Sequence, residues 1–359
     1  MVAIDELAQR FRDFSGVSTA TRAPLYSRLS AAAAEDRDIL ALLHHAPETQ
    51  QLPVLLFAAV HFLLLHGDGP ELAAFYPNLS TDVPDDDPVP AFRRFVLGHA
   101  DALGPVIATH NTQTNEVGRC AQFLPALGML ADEVGPLAHV DVGTSAGLNL
   151  LLPRYSYEFL PGGRVEPTAG TSTVHLRCET RGDVPVPAMM PAIARSVGLD
   201  LAPIDVLDDD AVRWLEACVW PDQADRFARL VAAIGMAREE VPDVRAGDAV
   251  GDLAAVVTDA TSGLGTGVHP VVTNSWVLNY LPHETRTAYV AALDAIGSQR
   301  DLSWVIAEAP DQTPGLPVPT TDPPESITVL SLVRWRDGER ITQRLGTTHP
   351  HGYWLRWEA

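Results

Sequence analysis

The sequence predicts an α/β protein with a doubly wound sheet, an N-terminal helical region and C-terminal antiparallel strands. Apolar residues recur at helical spacing through residues 1–78, and from about residue 106 strand-like runs alternate with helical segments. The tail returns to strand-like runs joined by turn residues. Alternating strands and helices are typical of a parallel sheet with helices on its faces. We therefore predict a helical region over 1–105 and a sheet domain over 106–359, with an insertion around 180–240.

The N-terminal region contains several helix signals. The apolar residues of 4–11 have helical spacing, and Ala31–Leu43 is rich in helix formers. The apolar run Pro53–Leu65 begins with proline, which is favoured at a helix start, and a helix apolar on every face is usually buried. The acidic, proline-rich segment 80–88 predicts a loop, and Ala91–Leu103 predicts a further helix.

In the sheet domain, most of the predicted strands end in acidic or polar residues. The predicted strands are one around Val140 that ends at Asp141, Thr173–Glu179, Asp243–Asp248, Pro270–Ser275 and Trp304–Glu308. The predicted helices are one capped by Thr114 or Asn115 and running through Leu130, Asp209–Ala217, Asp222–Ile234 and His283–Ile296. The tail supplies Ile327–Arg334, Glu339–Leu345 and Tyr353–Trp357, with Asp337-Gly338 as a hairpin signal.

The charge balance limits the partners. The chain of 359 residues carries 46 acidic residues against 25 Lys plus Arg, which is a formal net charge of −21. A protein this acidic repels nucleic-acid phosphates and anionic membrane surfaces, so we expect neither as a partner. A small-molecule substrate is compatible with this charge. The sequence does not determine the oligomeric state.

The N-terminus, the longest apolar run and the cysteines bear on the cellular compartment. The N-terminus lacks the basic and apolar regions of a signal peptide, and the run Leu52–Leu65 is shorter than the ~20 residues that span a bilayer. Cys120, Cys178 and Cys218 lie far apart and form no CxxC pair, which fits a reducing compartment. These features predict a cytoplasmic protein with neither a disulfide framework nor a metal site.

The segment His139–Leu150 carries the strongest functional signal. It reads as a buried strand that ends in Asp141, a turn on Gly143 and Gly147, and an apolar helix. Glycines at such a turn let backbone N–H groups approach a ligand, and the helix start offers further donors. Open α/β sheets bind nucleotide-like cofactors at this position. The same letters place Ser145 in a GxSxG pattern, the nucleophile elbow of α/β-hydrolases.

A nucleotide-like cofactor also needs acceptors, because ribose hydroxyls and an adenine amino group donate hydrogen bonds. Asp141 ends the first predicted strand, Glu179 the second and Asp248 the third. Asn274 lies in the fourth strand, whose exit would face the reacting centre. The turn lacks the GxGxxG spacing of a nicotinamide fingerprint.

The sheet domain contains three successive motifs, which are Asp141-x-Gly143-x-x-x-Gly147, Gly247-Asp248-Ala249 and Pro270-Val271-Val272. Together they resemble the motifs of class I S-adenosylmethionine-dependent methyltransferases, and this resemblance implies a Rossmann-like fold. Nearly the whole chain more closely resembles a bacterial family known as domain of unknown function 2332. The blocks that carry this resemblance are Thr112–Arg119, Gly143–Leu150, Val219–Gln223 and His351–Trp354. That family implies no settled activity, and a fold does not fix a function.

The resemblance to methyltransferases implies roles for individual residues. Asp141 would contact the amino-acid end of S-adenosylmethionine through the turn, Glu179 would bind the ribose hydroxyls, and Asp248 the adenine amino group. The predicted cofactor site further includes Gly143, Thr144, Ser145, Gly147, Asn149 and Asn274. Glu179 lies 38 residues beyond Asp141, so a hairpin inserted around Pro161–Gly163 is expected, and Glu158 is the alternative acid.

Three residues ahead of the first strand are candidates for a substrate or lid role. Asn115, Glu116 and Arg119 would close over the methionine end of the cofactor. The alternative is a capped helix with a Glu116–Arg119 pair at i, i+3.

The leading prediction is an S-adenosylmethionine-binding protein that methylates a small molecule. Tyr280 is a candidate catalytic residue because it follows the fourth strand, where methyl group and substrate would meet. His283 and His351 are candidate bases, because imidazole titrates near neutral pH. A base is needed only where the acceptor must lose a proton beforehand. A non-catalytic cofactor-binding protein is a further alternative.

The hydrolase alternative uses Ser145 as the nucleophile. Its base would be His349 or His351, and the acid would be Asp301 or Asp311, in the chain order of α/β-hydrolases. No HGGG-like oxyanion loop precedes residue 145, and the acids at the strand ends would have no role in such a site.

Overall fold

The computed structural model describes residues 2–316 and 327–359. The chain forms two compact units, one of Met1–Thr114 with Leu207–Val231 and one of Asn115–Val206 with Ala232–Ala359. The segment around 207–231 therefore belongs to the same unit as the N-terminal helices. Among the described helices, none combines the length and the apolar composition needed to cross a bilayer.

The described residues contain both helices and strands. The α-helices are α1 Ile4–Phe14, α2 Val17–Arg22, α3 Pro24–Ala33, α4 Arg37–Ala41, α5 Pro53–His66, α6 Pro70–Ala73, α7 Pro88–Gly98, α8 Ala100–Thr109, α9 Cys120–Val134, α10 Asp209–Ala217, α11 Ala224–Glu239, α12 Leu253–Thr261 and α13 His283–Gly297. Short 3-10 helices span Leu42–His45, Glu48–Gln50, Val117–Arg119, Leu148–Arg154 and Leu278–Tyr280. The strands are β1 Leu137–Val142, β2 Ser156–Leu160, β3 Gly163–Val165, β4 His175–Arg181, β5 Ile193–Asp200, β6 Val244–Ala246, β7 His269–Ser275, β8 Leu302–Glu308, β9 Thr328–Arg336, β10 Glu339–Thr348 and β11 Trp354–Trp357.

The first unit is built around α5, which is apolar and mostly buried, as predicted. Proline begins this helix, and Gly67 ends it in the left-handed conformation that favours glycine. Phe57 of α5 stacks on Tyr26 with ring centroids 4.6 Å apart. The carboxylate of Asp222 accepts a hydrogen bond of 3.1 Å from the Leu25 amide at the start of α3. Asp222, from one of the four family-like blocks, thus has a structural role as a helix cap.

The second unit is a mixed α/β unit around a sheet that has eleven strands in the described residues. Across the sheet the order is β3-β2-β4-β11-β10-β9-β8-β7-β1-β5-β6. The strands β8, β7, β1, β5 and β6 are all parallel, whereas β9 and β10 are antiparallel to their neighbours. Counted along the chain, the parallel strands have the order 5-4-1-2-3, which reverses between β7 and β1. We call the edge formed by their carboxyl ends the carboxyl edge.

The sequence prediction for the second strand of this parallel set is wrong. The predicted segment Thr173–Glu179 forms most of β4, and five strands separate β4 from β1. The neighbour of β1 is β5, which the sequence analysis missed. Its residues Ile193–Asp200 include Arg195, Ser196 and Gly198, which interrupt the apolar pattern that marks a buried strand.

Several local predictions are confirmed and others need correction. The hairpin between β9 and β10 turns on Asp337 and Gly338, both with positive φ, as in the turns that close two-residue hairpins. The predicted helix 91–103 is interrupted at His99, between α7 and α8. The segment after the glycine turn is the 3-10 helix Leu148–Arg154, which contains Pro153, and not an α-helix.

Two helical glycines of the second unit test how α13 packs on the sheet. A Cβ at Gly297 would collide with the indole of Trp335, which is 2% exposed. We expect Gly297→Ala to lower the free energy of unfolding by about 1–3 kcal/mol, because the buried indole must move. A Cβ at Gly235 in α11 meets no atom within 4 Å, so Gly235→Ala should raise the free energy of unfolding by about 0.5–1 kcal/mol. Urea unfolding followed by circular dichroism measures both, and shifts of the same sign would contradict this packing.

Candidate functional site

The glycine turn lies at the carboxyl edge, directly after β1. Gly143, Ser145 and Gly147 all have positive φ, at 72°, 55° and 74°. A Cβ at Gly143 would collide with the side chain of Val277, which follows β7, and one at Gly147 would collide with Val244. Glycine is therefore required because side chains of neighbouring segments approach the turn closely.

Four backbone donors of the turn are already bonded within the protein. The hydrogen bonds run from Gly143 N to Leu199 O (2.8 Å), from Ser145 N to Asp200 Oδ2 (2.7 Å), from Gly147 N to Thr144 O (2.9 Å) and from Leu148 N to Asn115 Oδ1 (3.1 Å). The sequence analysis expected such donors to face a ligand. Because protein acceptors already hold these four, a phosphate group would have to displace them to bind here.

Asp200, at the end of β5, has the position that the sequence analysis assigned to Glu179. Its carboxylate accepts hydrogen bonds from the Ser145 amide and, at 2.9 Å, from the Ala202 amide. Glu179 lies in β4, exposed and bonded to Arg181, about 29 Å across the sheet from β1 at ~4.8 Å per strand. The structure does not bring Glu179 to the carboxyl edge. Asp200 was missed because β5 was missed.

Asp248 lies beside Asp200. The pairing of β5 with β6 gives a 2.9 Å hydrogen bond from the Gly247 amide to the Asp200 carbonyl. The carboxylate of Asp248 is exposed and accepts hydrogen bonds from the amides of Val250 and Gly251. The alternative acid Glu158 lies in β2, bonded to Arg164, outside this edge. The predicted hairpin around Pro161–Gly163 is present, between β2 and β3.

A buried hydrogen-bonded chain leads to Asp141. The Thr273 hydroxyl donates to Asp141 Oδ1 at 2.6 Å, and His139 Nε2 lies 2.8 Å from the same hydroxyl. Since Thr273 uses its proton for the Asp141 carboxylate, His139 must donate through Nε2. Burial lowers the pKa of His139 to about 4, so the ring is neutral. Burial also raises the pKa of Asp141 to about 6, although the bond from Thr273 and the charge of Arg119 act against this.

Arg119 and Glu116 hold loops together beneath the edge. The guanidinium of Arg119 donates to the carbonyls of Ser275 (3.2 Å) and Pro350 (3.0 Å). Glu116 accepts from the Gly118 amide and thereby caps the 3-10 helix, a role that was predicted for Thr114 or Asn115. Its second oxygen lies 3.3 Å from His351 Nδ1.

The blocks Thr112–Arg119 and His351–Trp354 meet backbone to backbone. A Cβ at Gly118 would collide with the carbonyl of His351, and one at Gly352 with the carbonyl of Gly118. Because Asn115 also bonds the amide of Leu148, three of the four family-like blocks converge on this part of the carboxyl edge.

Asn274 is committed to internal bonds. Its amide nitrogen donates to Glu308 Oε1 at 2.7 Å, and its oxygen accepts from Trp304 Nε1 (2.6 Å) and Tyr289 OH (3.3 Å). Asn274 is fully buried, and its predicted cofactor role stays a prediction. Glu308, at the end of β8, was missed by the sequence analysis. Burial raises its pKa to about 7, against the hydrogen bonds to Oε1 and the charge of Arg119.

The remaining predicted residues fall into two groups. Thr144 is fully buried against Gly198, and the Asn149 side chain accepts a 3.4 Å bond from the Cys120 thiol, so both are packed inside the fold. Tyr280 is 75% exposed, and His283 is exposed at the first turn of α13. Of the three catalytic candidates, His351 alone lies beside a buried carboxylate of the described residues, that of Glu116.

The fold and the site define a mixed α/β protein with buried carboxyl groups at the carboxyl ends of its parallel strands. The chain belongs to the family described as "Uncharacterized protein conserved in bacteria (DUF2332)", whose model matches residues 8–357. No curated protein and no solved structure matched the chain. In residues 2–316 and 327–359, no cluster of three or more His, Cys, Asp or Glu side chains is arranged to hold a metal ion.

The raised pKa of Asp141 predicts a pH dependence of stability. A carboxyl group whose pKa rises from 3.8 to about 6 on folding contributes stability below pH ~4 that is lost as the pH approaches 6. We expect wild type to lose ~3 kcal/mol relative to Asp141→Asn over this range. Urea unfolding at several pH values measures the difference. The exposed Asp86→Asn is the control, and a flat difference for Asp141→Asn would contradict the burial of an ionised group.

Proposed function

We propose that the carboxyl edge binds S-adenosylmethionine and that the protein transfers its methyl group to a small molecule. The observation that carries the proposal is the combination of acidic side chains and occupied backbone donors at this edge. Such a site favours a ligand that is cationic and rich in hydrogen-bond donors over one that carries phosphates.

The charge of the edge supports this choice of cofactor. Several carboxyl groups lie at or directly beneath the edge, together with the guanidinium of Arg119. They include those of Glu116, Asp141, Asp200, Asp248 and Glu308. S-adenosylmethionine carries a sulfonium and an ammonium group against one carboxylate, so its net charge is positive. A dinucleotide would bring a pyrophosphate to a negative site, where four of the turn amides are already bonded within the protein.

The strand order supports the same site. The parallel strands change direction of connection between β7 and β1, and ligands of doubly wound sheets bind at such a switch point. Leu201, directly after Asp200, is 79% exposed and offers an apolar surface beside carboxylate acceptors. Adenosine needs that combination, because its ring faces are apolar and its hydroxyl and amino groups are donors. The proposal therefore includes a class I methyltransferase-like arrangement of the parallel strands.

Individual roles follow from position. Asp200 would accept hydrogen bonds from the ribose hydroxyls, and Asp248 from the adenine amino group. Asp141 and the turn would hold the methionyl end. When bound, the cofactor supplies an electrophilic methyl group, and the task of the protein is to align an acceptor with it. His351, paired with Glu116, is the candidate among the predicted bases for an acceptor that must lose a proton.

Calorimetric titration with S-adenosylhomocysteine tests the cofactor site. We expect wild type to bind and Asp200→Asn to bind about 10–100-fold more weakly, because a hydrogen bond to a charged group contributes ~1.5–3 kcal/mol. Glu179→Gln is the matched control and should leave the affinity unchanged. Sinefungin, whose amine places a positive charge near the sulfonium position, should bind more tightly than S-adenosylhomocysteine. Absence of binding to folded wild type would exclude the proposal.

One observation favours a second candidate function, a serine hydrolase. Ser145 has a φ of 55° at a turn after a strand, as the nucleophile of an elbow does. Two structural features count against it. The turn leads into a 3-10 helix, and Asp301, one of the two candidate acids, bonds the Asp337 amide at the amino end of β8, on the opposite edge of the sheet. Asp311 remains the candidate acid of such a site.

Labelling with a fluorophosphonate probe separates the two functions. Under our proposal Ser145 is not labelled, and Ser145→Ala changes the affinity for S-adenosylhomocysteine by less than about threefold, because no charged hydrogen bond is lost. Labelling that disappears in Ser145→Ala, together with no binding of S-adenosylhomocysteine, would establish the hydrolase instead.

A further inference from the structure

A small recess opens at the carboxyl end of β8, beside β9. Glu308, Asp311, Thr313 and Ser331 supply its polar lining, and the remaining lining residues carry no charged side chain. Its volume of about 10 Å³ accommodates one group of the size of a water molecule.

Two buried polar atoms of the lining lack partners. Glu308 and Ser331 are each 1% exposed, and within residues 2–316 and 327–359 neither Glu308 Oε2 nor Ser331 Oγ has a hydrogen-bond partner. The other carboxylate oxygen of Glu308 is fully used, because it accepts from Asn274 Nδ2 and from the amides of Val277 and Leu278. An unsatisfied buried oxygen costs about 1–3 kcal/mol, so a donor-bearing group is expected in the recess.

The chemistry of the lining identifies the group. Among the described residues, two carboxyl groups and two hydroxyls line the recess and no basic side chain does, so a hydrogen-bond donor with positive charge fits and an anion does not. Arg119 acts electrostatically on Glu308, but its guanidinium bonds the carbonyls of Ser275 and Pro350 and does not line the recess. An ammonium group has the size of a water molecule and three donors.

The recess is connected to the glycine turn through one short segment. Glu308 bonds the amides of Val277 and Leu278, and the side chain of Val277 lies against Gly143. A group held by Glu308 therefore lies one loop away from the proposed cofactor site.

We propose that this recess binds the primary ammonium group of a small-molecule ligand, with Glu308 Oε2 and Ser331 Oγ as its acceptors. If the proposed function holds, that ligand is the methyl acceptor, which makes the substrate class an amine. Binding of the ammonium group itself does not depend on the cofactor.

Titration with methylammonium chloride, monitored by calorimetry or protein-observed NMR at constant ionic strength, tests the recess. We expect saturable binding to wild type, and binding about 10–100-fold weaker in Glu308→Gln because a charged acceptor is removed. Ser331→Ala should also weaken binding. This variant leaves the bonds to Glu308 Oε1 in place, so it still tests the recess if Glu308→Gln does not fold. Tetramethylammonium has the same charge without donors and should not bind. Glu284→Gln, an exposed acid of α13, is the control variant.

The outcomes separate this proposal from the proposed function. No saturable binding to wild type, or equal binding by both variants and wild type, would mean that the recess holds a water molecule only. Ser331→Ala should retain the affinity for S-adenosylhomocysteine within about threefold, because Ser331 lines the recess and has no part in the proposed cofactor site. If wild type binds methylammonium through Glu308 but not S-adenosylhomocysteine, the recess stands and the methyl-transfer proposal falls. If wild type binds S-adenosylhomocysteine but not methylammonium, the methyl-transfer proposal stands and the recess proposal falls.

Discussion

The carboxyl edge depends on one buried guanidinium. Arg119 is 8% exposed, and its charge acts on both Asp141 and Glu308, two carboxyl groups that burial makes costly to ionise. The same guanidinium bonds the carbonyls of Ser275 and Pro350, so it also fixes the loop after β7 and the loop before β11. Removing it would leave two buried acids with hydrogen bonds but without this compensating charge, and two loops without a shared donor. The geometry of the edge therefore depends on a cation that lies beneath it.

Close packing of backbone completes this arrangement. Gly118 and Gly352 leave no room for a Cβ between the segments that carry Glu116 and His351, and this contact holds the two side chains within 3.3 Å. The hydrogen bond from the Gly118 amide offsets part of the cost of burying the Glu116 carboxylate. Backbone contact of this kind fixes side-chain positions more strongly than surface ion pairs do, because it leaves little freedom to the loops.

The glycine turn illustrates how one pattern can have a different physical basis from the expected one. Its glycines were predicted to let the backbone approach a ligand, yet they accommodate Val277 and Val244 of the protein itself. Its amides were predicted as donors for a ligand, yet one of them holds Asp200 in place. Acidic side chains therefore dominate the edge. Under our proposal, the site takes a cation and not the phosphate that such a turn would otherwise favour.

The sequence by itself determined the elements whose signals are local. Helical spacing identified α10 and α13, proline identified the start of α5, and Asp337-Gly338 identified the final hairpin, because a few neighbouring residues control each of these structures. The rule that acids follow parallel strands was also correct for Asp141. Only the tertiary structure decided that the second acid is Asp200, since β2–β4 leave β1 and join the far end of the sheet through β11. The pairs Arg119–Pro350 and Asn274–Glu308 likewise bring together residues that are 231 and 34 positions apart. Such contacts follow from strand order and loop packing, which no local pattern of residues specifies.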